Sequence, residues 1–550
     1  MIRLALLWHM HQPDYRDPAS GQSVLPWVRM HALKDYRGMV DVLREYPGVR
    51  ATINVVPSLT CQLLDYAEGR TDDHLRRVRD TPTAELHADE RAFLLTHGFH
   101  APHHRMIAPH PRYAELSARR GEGESWSLDD VRDLQVWHTL AWMDPDWLLR
   151  DSRLAALRAK GRQFSEDDKA TLAAVERELL QSTIPALADA AAAGQVELST
   201  SPFYHPILPL LCDTDTHLAV HPESPRPEPP FRWPRDARVQ LSRASGAHAS
   251  VFGRRPSGLW PSEGGVSDEV VQMATTEGFT WLASDEHVLA RSLGEPMSRD
   301  HDGRPERAAQ LYRPWHLSSV GEEGPRLVFR DQMLSDRIGF IYQSWDAEHA
   351  ADDLVWRIRD SGARYVAQGG QGDPLIAIVL DGENAWEHYP DGGRPFLRAF
   401  YGRLQDAGDI AAVTMREAVA SDGPVHQVSH LVPGSWIHAD FSVWAGHEED
   451  CRAWSALARA RWCWERRSAL VSSAASDRAY ESLLAAEGSD WFWWYGDDHS
   501  SSLDGVFDGL FRTHLRRVYE ALEWPVPDEL RRPLGGARCV DGDGVMSRGW

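Results

Sequence analysis

The stretch PLIAIVLDGENAWEHYP, residues 374–390, joins a wholly apolar run to two carboxylates. No polar residue interrupts residues 374–380, and this predicts a strand that is covered on both faces, as in a parallel sheet. Asp381 and Glu383 follow at its end, and Gly382 between them supplies a tight exit. Asp-Gly is also a common turn dipeptide, so the carboxylates form either a solvated turn or part of a catalytic group at the carboxyl end of a barrel strand. Other strand ends in the chain decide between the two.

Length and charge bound the class of protein. A chain of 550 residues exceeds one ordinary hydrophobic core, so two or more packed units are expected. The formal net charge of -22 repels phosphate backbones and anionic lipid surfaces, which argues against nucleic-acid and membrane partners. No stretch approaches the length of an apolar membrane span. The oligomeric state is left open.

Cysteine spacing and the N-terminus indicate the compartment. The five cysteines are scattered without CxxC spacing, so neither a disulfide framework nor a zinc knuckle is indicated. The opening MIRLALLWHMHQP has only a short apolar run before His9, with no room for a signal peptide. We therefore expect a cytoplasmic enzyme.

Tryptophan is abundant, with 23 residues, and several lie beside polar residues. Examples are GSWIHADFSVWAG (434–446) and DWFWWYGDDH (490–499). An indole offers a large apolar face and one N–H donor, which suits stacking on a sugar ring. The alternative is structural packing between helices, which we expect for most of these residues.

Strands and helices alternate along the first three quarters of the chain. The predicted strands are IRLALLW (2–8), RATINVVPSL (50–59), QVELSTSPFY (195–204), FTWLASDE (279–286), RLVFRDQ (326–332) and PLIAIVLDGE (374–383). A helical segment ended by Gly48 separates the first two and gives a β-α-β unit. Alternation with polar groups at successive strand ends predicts an α/β barrel over residues 1–425.

Two helical regions accompany the barrel. From about 60 to 193 the pattern is helical and charged, which predicts an insertion that could cover the barrel mouth. After about 425 the strands stop and helices resume, so residues 426–535 are predicted to form a helical C-terminal domain. Residues 536–550 are predicted to be a loose tail.

Three further strand ends carry candidate functional side chains. His9 and His11 lie on the same side of an extended chain, and Tyr204 and His205 end the 195–204 strand. Glu263 lies in the Gly-flanked loop GLWPSEGGVS, ahead of a helix that Ser267 can cap. A lone histidine near aromatic residues is more often structural, but four such strand ends in one chain favour a functional site.

The motifs HMHQPDY, QVELSTSPFYHPILPLL, GLWPSEGGVS and IVLDGENAWEHY resemble the first four motifs of glycoside hydrolase family 57, in that order. With FRDQMLSDRIGF and DWFWWYGDDHSS they resemble its amylopullulanase-like and α-amylase-like bacterial members. The resemblance covers nearly the whole chain. It implies a (β/α)7 barrel with a helical C-terminal domain, acting on α-glucans with retention of configuration and without a catalytic metal or cofactor.

The resemblance also implies residue roles. Glu263 matches the nucleophile of the family and Asp381 its general acid/base. His11 and His205 match histidines that line the subsite holding the scissile bond. His9 and Glu197 fall at places where family members vary.

Further substrate contacts are expected at aromatic and acidic positions within or near these motifs. Tyr204 and Trp260 belong to the motifs themselves. The fifth family motif is a short aromatic stretch, which Trp436 or the pair Trp493 and Trp494 could supply. Glu383 is open between two roles, a second carboxylate that raises the pKa of Asp381 or a ligand of a sugar hydroxyl.

The chemistry fits these residue types. Retention requires one carboxylate to attack the anomeric carbon and one acid to protonate the leaving oxygen, about 5–5.5 Å apart. We expect nearby N–H or cationic groups to keep Glu263 ionised, and burial to keep Asp381 protonated near neutral pH.

Alternatives remain. The His9-Met10-His11 pair also suits a zinc-dependent barrel hydrolase or deacetylase, although that interpretation leaves Glu263 unexplained. A non-catalytic carbohydrate-binding protein would keep the tryptophans but not the carboxylates. Within the family, a 4-α-glucanotransferase or branching enzyme would pass the sugar to another hydroxyl instead of water. DGENAWE and WPSEG are more similar to the hydrolase branch, and the choice between α-1,4 and α-1,6 bonds stays open.

Overall fold

The computed structural model describes residues 1–121, 126–420 and 426–535. The strands of these ranges are β1 Ile2–Met10, β2 Ala51–Val55, β3 Val196–Ser199, β4 Gly258–Leu259, β5 Trp281–Asp285, β6 Trp315–Leu317, β7 Arg326–Arg330, β8 Leu375–Asp381, β9 Ile410–Val413 and β10 His426–Val428.

The α-helices are α1 Trp27–His31, α2 Arg37–Arg44, α3 Pro57–Glu68, α4 His74–Asp80, α5 Ala88–His97, α6 Pro111–Ala118, α7 Leu128–Leu140, α8 Pro145–Arg150, α9 Ser152–Lys160, α10 Glu166–Ala192, α11 Leu208–Cys212, α12 Pro234–Phe252, α13 Asp268–Glu277, α14 Glu286–Leu293, α15 Ala308–Leu311, α16 Gln332–Asp336, α17 Ala347–Ala367, α18 Arg394–Asp406, α19 Met415–Val419, α20 Ser442–Ala445, α21 Glu448–Arg467, α22 Ser473–Ala486, α23 Ser489–Phe492 and α24 Asp504–Ala521.

Parallel strands form a closed barrel, and β1 is one strand of its wall. This strand pairs with β2 on one side and with β8 on the other, and β2 pairs with β3. A bridge between Thr200 and Leu259 joins β3 to β4, which continues through β5 to β7. The amide of Asp331, just after β7, donates to the carbonyl of Ala377 in β8 at 2.8 Å. Among the described strands, seven (β1, β2, β3, β4, β5, β7 and β8) therefore close a parallel ring.

Three short strands extend the sheets outside this ring. The strand β9 pairs in parallel with the start of β1, β6 lies antiparallel to β7, and β10 pairs with β6. None of the three was predicted from the sequence, because strands of three or four residues carry too little periodicity. β10 begins at His426, next to the boundary of about residue 425 after which the strands were predicted to stop.

Between β2 and β3 the chain forms the helices α3 to α10. The helices α4 to α10 share with α1 an apolar core of their own, which includes Leu134, Trp137, Trp142 and Leu172. Arg105 of this region donates to the carbonyls of His388 at 3.0 Å and Gln343 at 3.1 Å. These helices are thereby held against the loops that follow β7 and β8.

The chain after β10 is helical through α20 to α24. α22 packs against α24, and both contact α21. The short helix α23 lies between them in sequence and reaches the barrel, as described below. Within the described ranges, no helix combines the length and the apolar character needed to cross a membrane. The predicted tail, residues 536–550, falls outside the described residues.

Candidate active site

The carboxyl ends of β1 and β8 bring the first two candidates together. His9 lies directly opposite Asp381 in the parallel pairing of the two strands. The amide of Gly382 donates to the carbonyl of His9 at 2.6 Å, and a Cβ at Gly382 would lie 3.2 Å from that oxygen. Glycine at this position therefore lets the loop after β8 stay close to β1. Asp381 is placed at the barrel mouth, where parallel barrels carry their chemistry.

Glu263 lies in a strained turn at the neighbouring part of the same face. The turn Ser262–Gly264 follows β4, and Glu263 has a φ of 57°, a left-handed conformation that is unusual for a residue with a side chain. Ser284 at the end of β5 holds the turn by donating its hydroxyl to the carbonyl of Gly264 at 2.7 Å. Such strain costs roughly 1–3 kcal/mol and persists where the surroundings enforce it, commonly at functional sites.

Two donors from the C-terminal part of the chain hold the carboxylate of Glu263. The indole N–H of Trp436 donates to Oε2 at 2.9 Å, and the Ser489 hydroxyl donates to Oε1 at 3.1 Å. The amide of Trp436 also donates to the Glu263 carbonyl at 2.8 Å. The side chain is 15% exposed. The Glu263 carboxylate is thus held through both of its oxygens at the barrel mouth.

The electrostatic surroundings of Glu263 oppose its ionisation. Burial, followed by the charges of Asp490 and Asp381, raises the pKa of Glu263 to about 7, whereas the Trp436 hydrogen bond and His11 lower it. The sequence led us to expect donors that keep this group ionised. Donors are present, but burial and two neighbouring carboxylates outweigh them.

Asp381 is partly buried and has one hydrogen-bond donor, the Asn384 amide at 3.1 Å from Oδ2. Burial raises the pKa of Asp381, and Asn384, His11 and Arg330 lower it in smaller measure. A carboxyl with a raised pKa keeps its proton to a higher pH than a free aspartate, which favours the role of a general acid.

Glu383 lies deeper than Asp381 and is only 1% exposed. Its Oε1 accepts from the amide of His11 at 3.0 Å, from Gln12 at 3.3 Å and from the Tyr36 hydroxyl at 3.3 Å. Burial and the charge of Asp381 raise the pKa of Glu383 well above its ordinary value. Burial thus favours the protonated form of Glu383, whereas the three donors favour its charged form.

Three histidines stack beside the two carboxylates. The rings of His11 and His205 lie 3.8 Å apart between centroids, and those of His9 and His205 lie 5.0 Å apart. His9 bonds through Nδ1 to Asn54 Oδ1 at 2.8 Å, and burial lowers its pKa to about 3. Burial and the two neighbouring histidines hold the pKa of His205 well below its ordinary value. His9 and His205 are thus neutral near pH 7.

His11, His205 and Asp490 also bring potential metal-ligand atoms within 4.8 Å of one another. The rings of His11 and His205 are stacked and inclined by only 23°, so their lone pairs lie in two nearly parallel planes. A zinc ion needs nitrogen ligands converging on it at about 2.0–2.1 Å. This stacking disfavours one ion held by all three residues.

Two predicted substrate contacts do not line the site. Trp260 is 0% exposed and packs against His9 and Trp436. It therefore offers no free face for a sugar and supports those two residues instead. Tyr204 is buried against Leu484 and Ala485, and its hydroxyl donates to Glu481 of the same helix, α22. Both predictions of substrate contact are corrected in this respect, because membership of a motif does not fix the direction of a side chain.

The three tryptophans that could supply the fifth motif have different surroundings. Trp436 is partly exposed and bonds Glu263 directly. Trp493 stacks on His499 with centroids 3.8 Å apart, and Trp494 stacks on Phe507 at 4.8 Å. The structure therefore brings Trp436 into the site and places the other two in packing contacts of the C-terminal region.

Glu197, which matched the motifs less closely, serves the barrel interior. Its carboxylate accepts from Ser257 at 2.8 Å, from the Trp281 indole at 2.9 Å and from the Arg416 amide at 2.7 Å. Bonded in this way, it links β3 to β5 and to α19, away from the barrel mouth.

Sequence reasoning missed three residues that contact this site. Ser489 and Asp490 begin the segment SDWFWWYG, in which only the tryptophans were predicted to contact substrate. Arg330 ends β7; its guanidinium lies 5.1 Å from the ring centroid of Trp436 and donates to Asp285 at 2.8 Å. The charged end of the predicted strand 326–332 was the available signal for Arg330.

Comparison with known proteins gives one family match. Residues 5–430 match the model described as Glycosyl hydrolase family 57. No curated protein matches the chain.

Solved structures share the fold at low identity. The α-amylase AmyC from Thermotoga maritima aligns with a TM-score of 0.57 and 13% identity, over 96% of this chain and 95% of that chain. The family 57 branching enzyme from Pyrococcus horikoshii aligns with a TM-score of 0.53 and 14% identity, over 94% and 88%. A family 57 branching enzyme from Thermococcus kodakaraensis, crystallised with glucose, gives 0.53 and 15%, again over 94% and 88%. The predicted (β/α)7 barrel with a helical C-terminal region and the resemblance drawn from the motifs are both confirmed.

Proposed function

We propose that this chain, which belongs to glycosyl hydrolase family 57, cleaves α-glucans by a retaining double displacement. Glu263 acts as the nucleophile and Asp381 as the general acid and base. The substrate class is taken from the family resemblance and from the α-amylase and branching enzymes that share the fold.

One observation carries the proposal. Two carboxyls stand at the mouth of one parallel barrel, and they are close enough that the charge of Asp381 raises the pKa of Glu263. Their hydrogen bonding differs, since Glu263 receives two side-chain donors and Asp381 receives one. Donors stabilise the charged form of a carboxyl. The extra donor on Glu263 favours the negative charge on Glu263 and the proton on Asp381, and it works against the burial that raises the pKa of Glu263.

In the first step, Glu263 attacks the anomeric carbon and forms a glycosyl ester as the glycosidic bond breaks. The departing oxygen takes the proton of Asp381 and leaves as a hydroxyl. Neutralising Glu263 in the ester removes one of the two charges, so Asp381 can ionise at this stage without the repulsion that opposed it before.

In the second step, the ionised Asp381 takes a proton from the incoming water. The water oxygen bonds to the anomeric carbon from the face that the leaving group vacated, and Glu263 departs as a carboxylate. Two inversions give net retention. The enzyme returns to its starting state with Asp381 protonated.

Within the family, we place the chain with hydrolases of the α-amylase or amylopullulanase type. The support is the similarity of DGENAWE and WPSEG to that branch. A 4-α-glucanotransferase or branching enzyme would use the same two residues and pass the glycosyl group to a sugar hydroxyl.

Product analysis separates these activities. The protein is incubated with maltooligosaccharides and, separately, with pullulan, and the products are resolved by chromatography. A hydrolase releases shorter oligosaccharides with one new reducing end for each bond cleaved. Longer products without new reducing ends would instead identify a transferase, and cleavage of pullulan to maltotriose would show action on α-1,6 bonds.

A further inference from the structure

The start of the short helix α23 fastens the C-terminal helical region to the barrel histidines. The amide of Ser489 donates to the carbonyl of His205 at 3.0 Å. Gly488 makes this approach possible, because a Cβ there would lie 2.8 Å from the carbonyl oxygen of Tyr204. The next residue, Asp490, places Oδ1 2.8 Å from Nε2 of His11. Two consecutive residues of α23 thus each contact one histidine of the stack.

The hydroxyl of Ser489 links His205 to Glu263. Its oxygen lies 3.0 Å from Nδ1 of His205 and donates to Oε1 of Glu263 at 3.1 Å. A serine hydroxyl has one proton. Because that proton is given to the carboxylate, the Nδ1 of His205 must be the donor to the Ser489 oxygen.

Donation from Nδ1 to Ser489 fixes the tautomer of His205. With the proton on Nδ1 and the ring neutral, Nε2 carries a free lone pair. His205 is 2% exposed, and its Nε2 has no hydrogen-bond partner among the described residues. A bare, buried Nε2 is therefore the mark of the Nδ1–H form of His205.

We propose that Ser489 and Asp490 are positioning residues through which the C-terminal helical region completes the active site. Ser489 holds the Glu263 carboxylate and keeps His205 in the Nδ1–H form, with Nε2 bare. Asp490 orients His11 and adds a negative charge beside Glu263. The inference rests on the proposed function, since it assigns Glu263 as the nucleophile.

The two residues act on Glu263 with opposite sign. A hydroxyl donated to a carboxylate stabilises its charged form, and a neighbouring negative charge destabilises it. The groups that face Glu263 from the surrounding elements are Asp381 after β8, His11 after β1, His205 after β3, Asp490 in α23, the Trp436 indole and, behind that ring, Arg330 of β7. The α23 residues that face Glu263 are Asp490 and Ser489, which donates to Oε1.

The first experiment compares pH profiles of kcat/KM for Ser489→Ala, Asp490→Asn and the control Ser482→Ala, using an aryl α-maltooligosaccharide. Ser482 is a buried serine of α22 at 5% exposure and contacts neither carboxylate. Ser489→Ala should lower kcat/KM roughly tenfold or more, the usual cost of losing a hydrogen bond to a charged group, and move the acidic limb to higher pH. Asp490→Asn keeps an acceptor for His11 and should move the acidic limb to lower pH. Ser482→Ala should leave the limb in place.

Opposite shifts support the proposal. Shifts of the same sign, or an unmoved limb in both folded variants, overturn it. A purely structural role for α23 would lower activity in both variants without separating their pH profiles.

The second experiment does not depend on activity. Nitrogen NMR of protein labelled with ¹⁵N-histidine, with His205 assigned by its loss in His205→Gln, reports which ring nitrogen carries the proton. The proposal predicts protonated Nδ1 and bare Nε2 in the wild type, and loss of that pattern in Ser489→Ala. A proton on Nε2 of wild-type His205 overturns the proposal even if the enzyme cleaves glucans. If His205 shows the predicted protonation but the protein does not cleave glucans, the proposed function is wrong and the assignment of the ring proton still holds.

Discussion

The indole N–H of Trp436 donates to Oε2 of Glu263 across 2.9 Å, joining a loop that follows the last barrel-associated strand to the candidate nucleophile. Trp436 is itself fixed, because its amide bonds the Glu263 carbonyl and the Arg330 guanidinium lies over its ring. A neutral donor that is held in this way favours the ionised carboxylate without adding a full charge near the anomeric carbon.

Replacing Trp436 with phenylalanine tests this contact. Trp436→Phe keeps an aromatic ring and removes the N–H, so kcat/KM should fall by about 10- to 100-fold, the range for a lost hydrogen bond to a charged group. Trp493→Phe and Trp494→Phe are matched controls, since both rings pack within the C-terminal region, and they should stay within about twofold of wild type. Steady-state kinetics on an aryl α-maltooligosaccharide measure the difference. Equal losses in all three variants would contradict a specific role for Trp436.

The pH dependence of activity follows from the surroundings of Glu263. The nucleophile must be ionised, and burial together with Asp490 and Asp381 raises the pKa of Glu263 to about 7. Activity should therefore rise with pH through an acidic limb near 7, well above the ordinary 4.5 of a glutamate. A profile of kcat/KM from pH 4 to 9 checks this. An acidic limb below pH 5 would show that the donors outweigh burial.

Metal removal distinguishes the glycosidase from a zinc hydrolase. The stacked rings of His11 and His205 are poorly disposed to converge on one ion, and the proposed steps use two carboxyls alone. Dialysis against EDTA should leave kcat/KM unchanged, and added zinc should not increase it. If chelation abolishes activity and zinc restores it, the histidines are metal ligands and the assignment of Glu263 as nucleophile fails.

Replacing Glu263 with glutamine should separate activity from stability. An amide cannot form the glycosyl ester, so Glu263→Gln should lose turnover while still binding glucan. The raised pKa means that ionising Glu263 costs the folded state free energy as pH rises from 4.5 through 7, a cost that glutamine avoids. The variant should be more stable than wild type at pH 8, by up to about 3 kcal/mol for a shift from 4.5 to about 7, and equal to it at pH 4.

A buried glutamate with the opposite shift is the control for that experiment. Burial alone would raise the pKa of Glu176, but Arg79, Arg29 and Arg76 lower it to about 2. Glu176→Gln should therefore destabilise the protein at pH 8. Urea denaturation of both variants at the two pH values gives the comparison. More than about a tenth of wild-type kcat/KM in Glu263→Gln, a loss below roughly 1.4 kcal/mol, would reject the nucleophile assignment.

The long elements and the strand ends of this fold were readable from the sequence. The apolar run before Asp381 became β8, and Ser267 caps α13 by accepting from the Val270 amide. Both signals are local, since a run of apolar residues and a hydroxyl before a helix act through their immediate neighbours. The short strands β6, β9 and β10 depend on pairing with distant segments and left no periodic signal.

The site was less predictable because much of it is assembled across long separations in sequence. Ser489 and Asp490 meet Glu263 and His11 from more than two hundred residues away, and nothing in their own segment indicates those partners. Trp260 was expected beside substrate and is buried, because a motif specifies a residue and not which face of the loop it occupies. Glu383 was left between two roles, and the structure shows it buried, with Oε1 accepting from three protein donors that lie far away in the sequence.

The most direct test of the two-carboxyl mechanism is azide rescue of Asp381→Ala on an activated aryl α-glycoside. The first step then needs little protonation, so the glycosyl-enzyme should form and accumulate, while its hydrolysis slows for lack of a base. Azide needs no base, and it should restore turnover and yield the α-glycosyl azide. With Glu263→Ala, azide can only replace the nucleophile and give the β-azide, and Glu383→Ala should show no azide dependence. The α-azide from Glu383→Ala and not from Asp381→Ala would contradict the assignment of Asp381 as the acid and base.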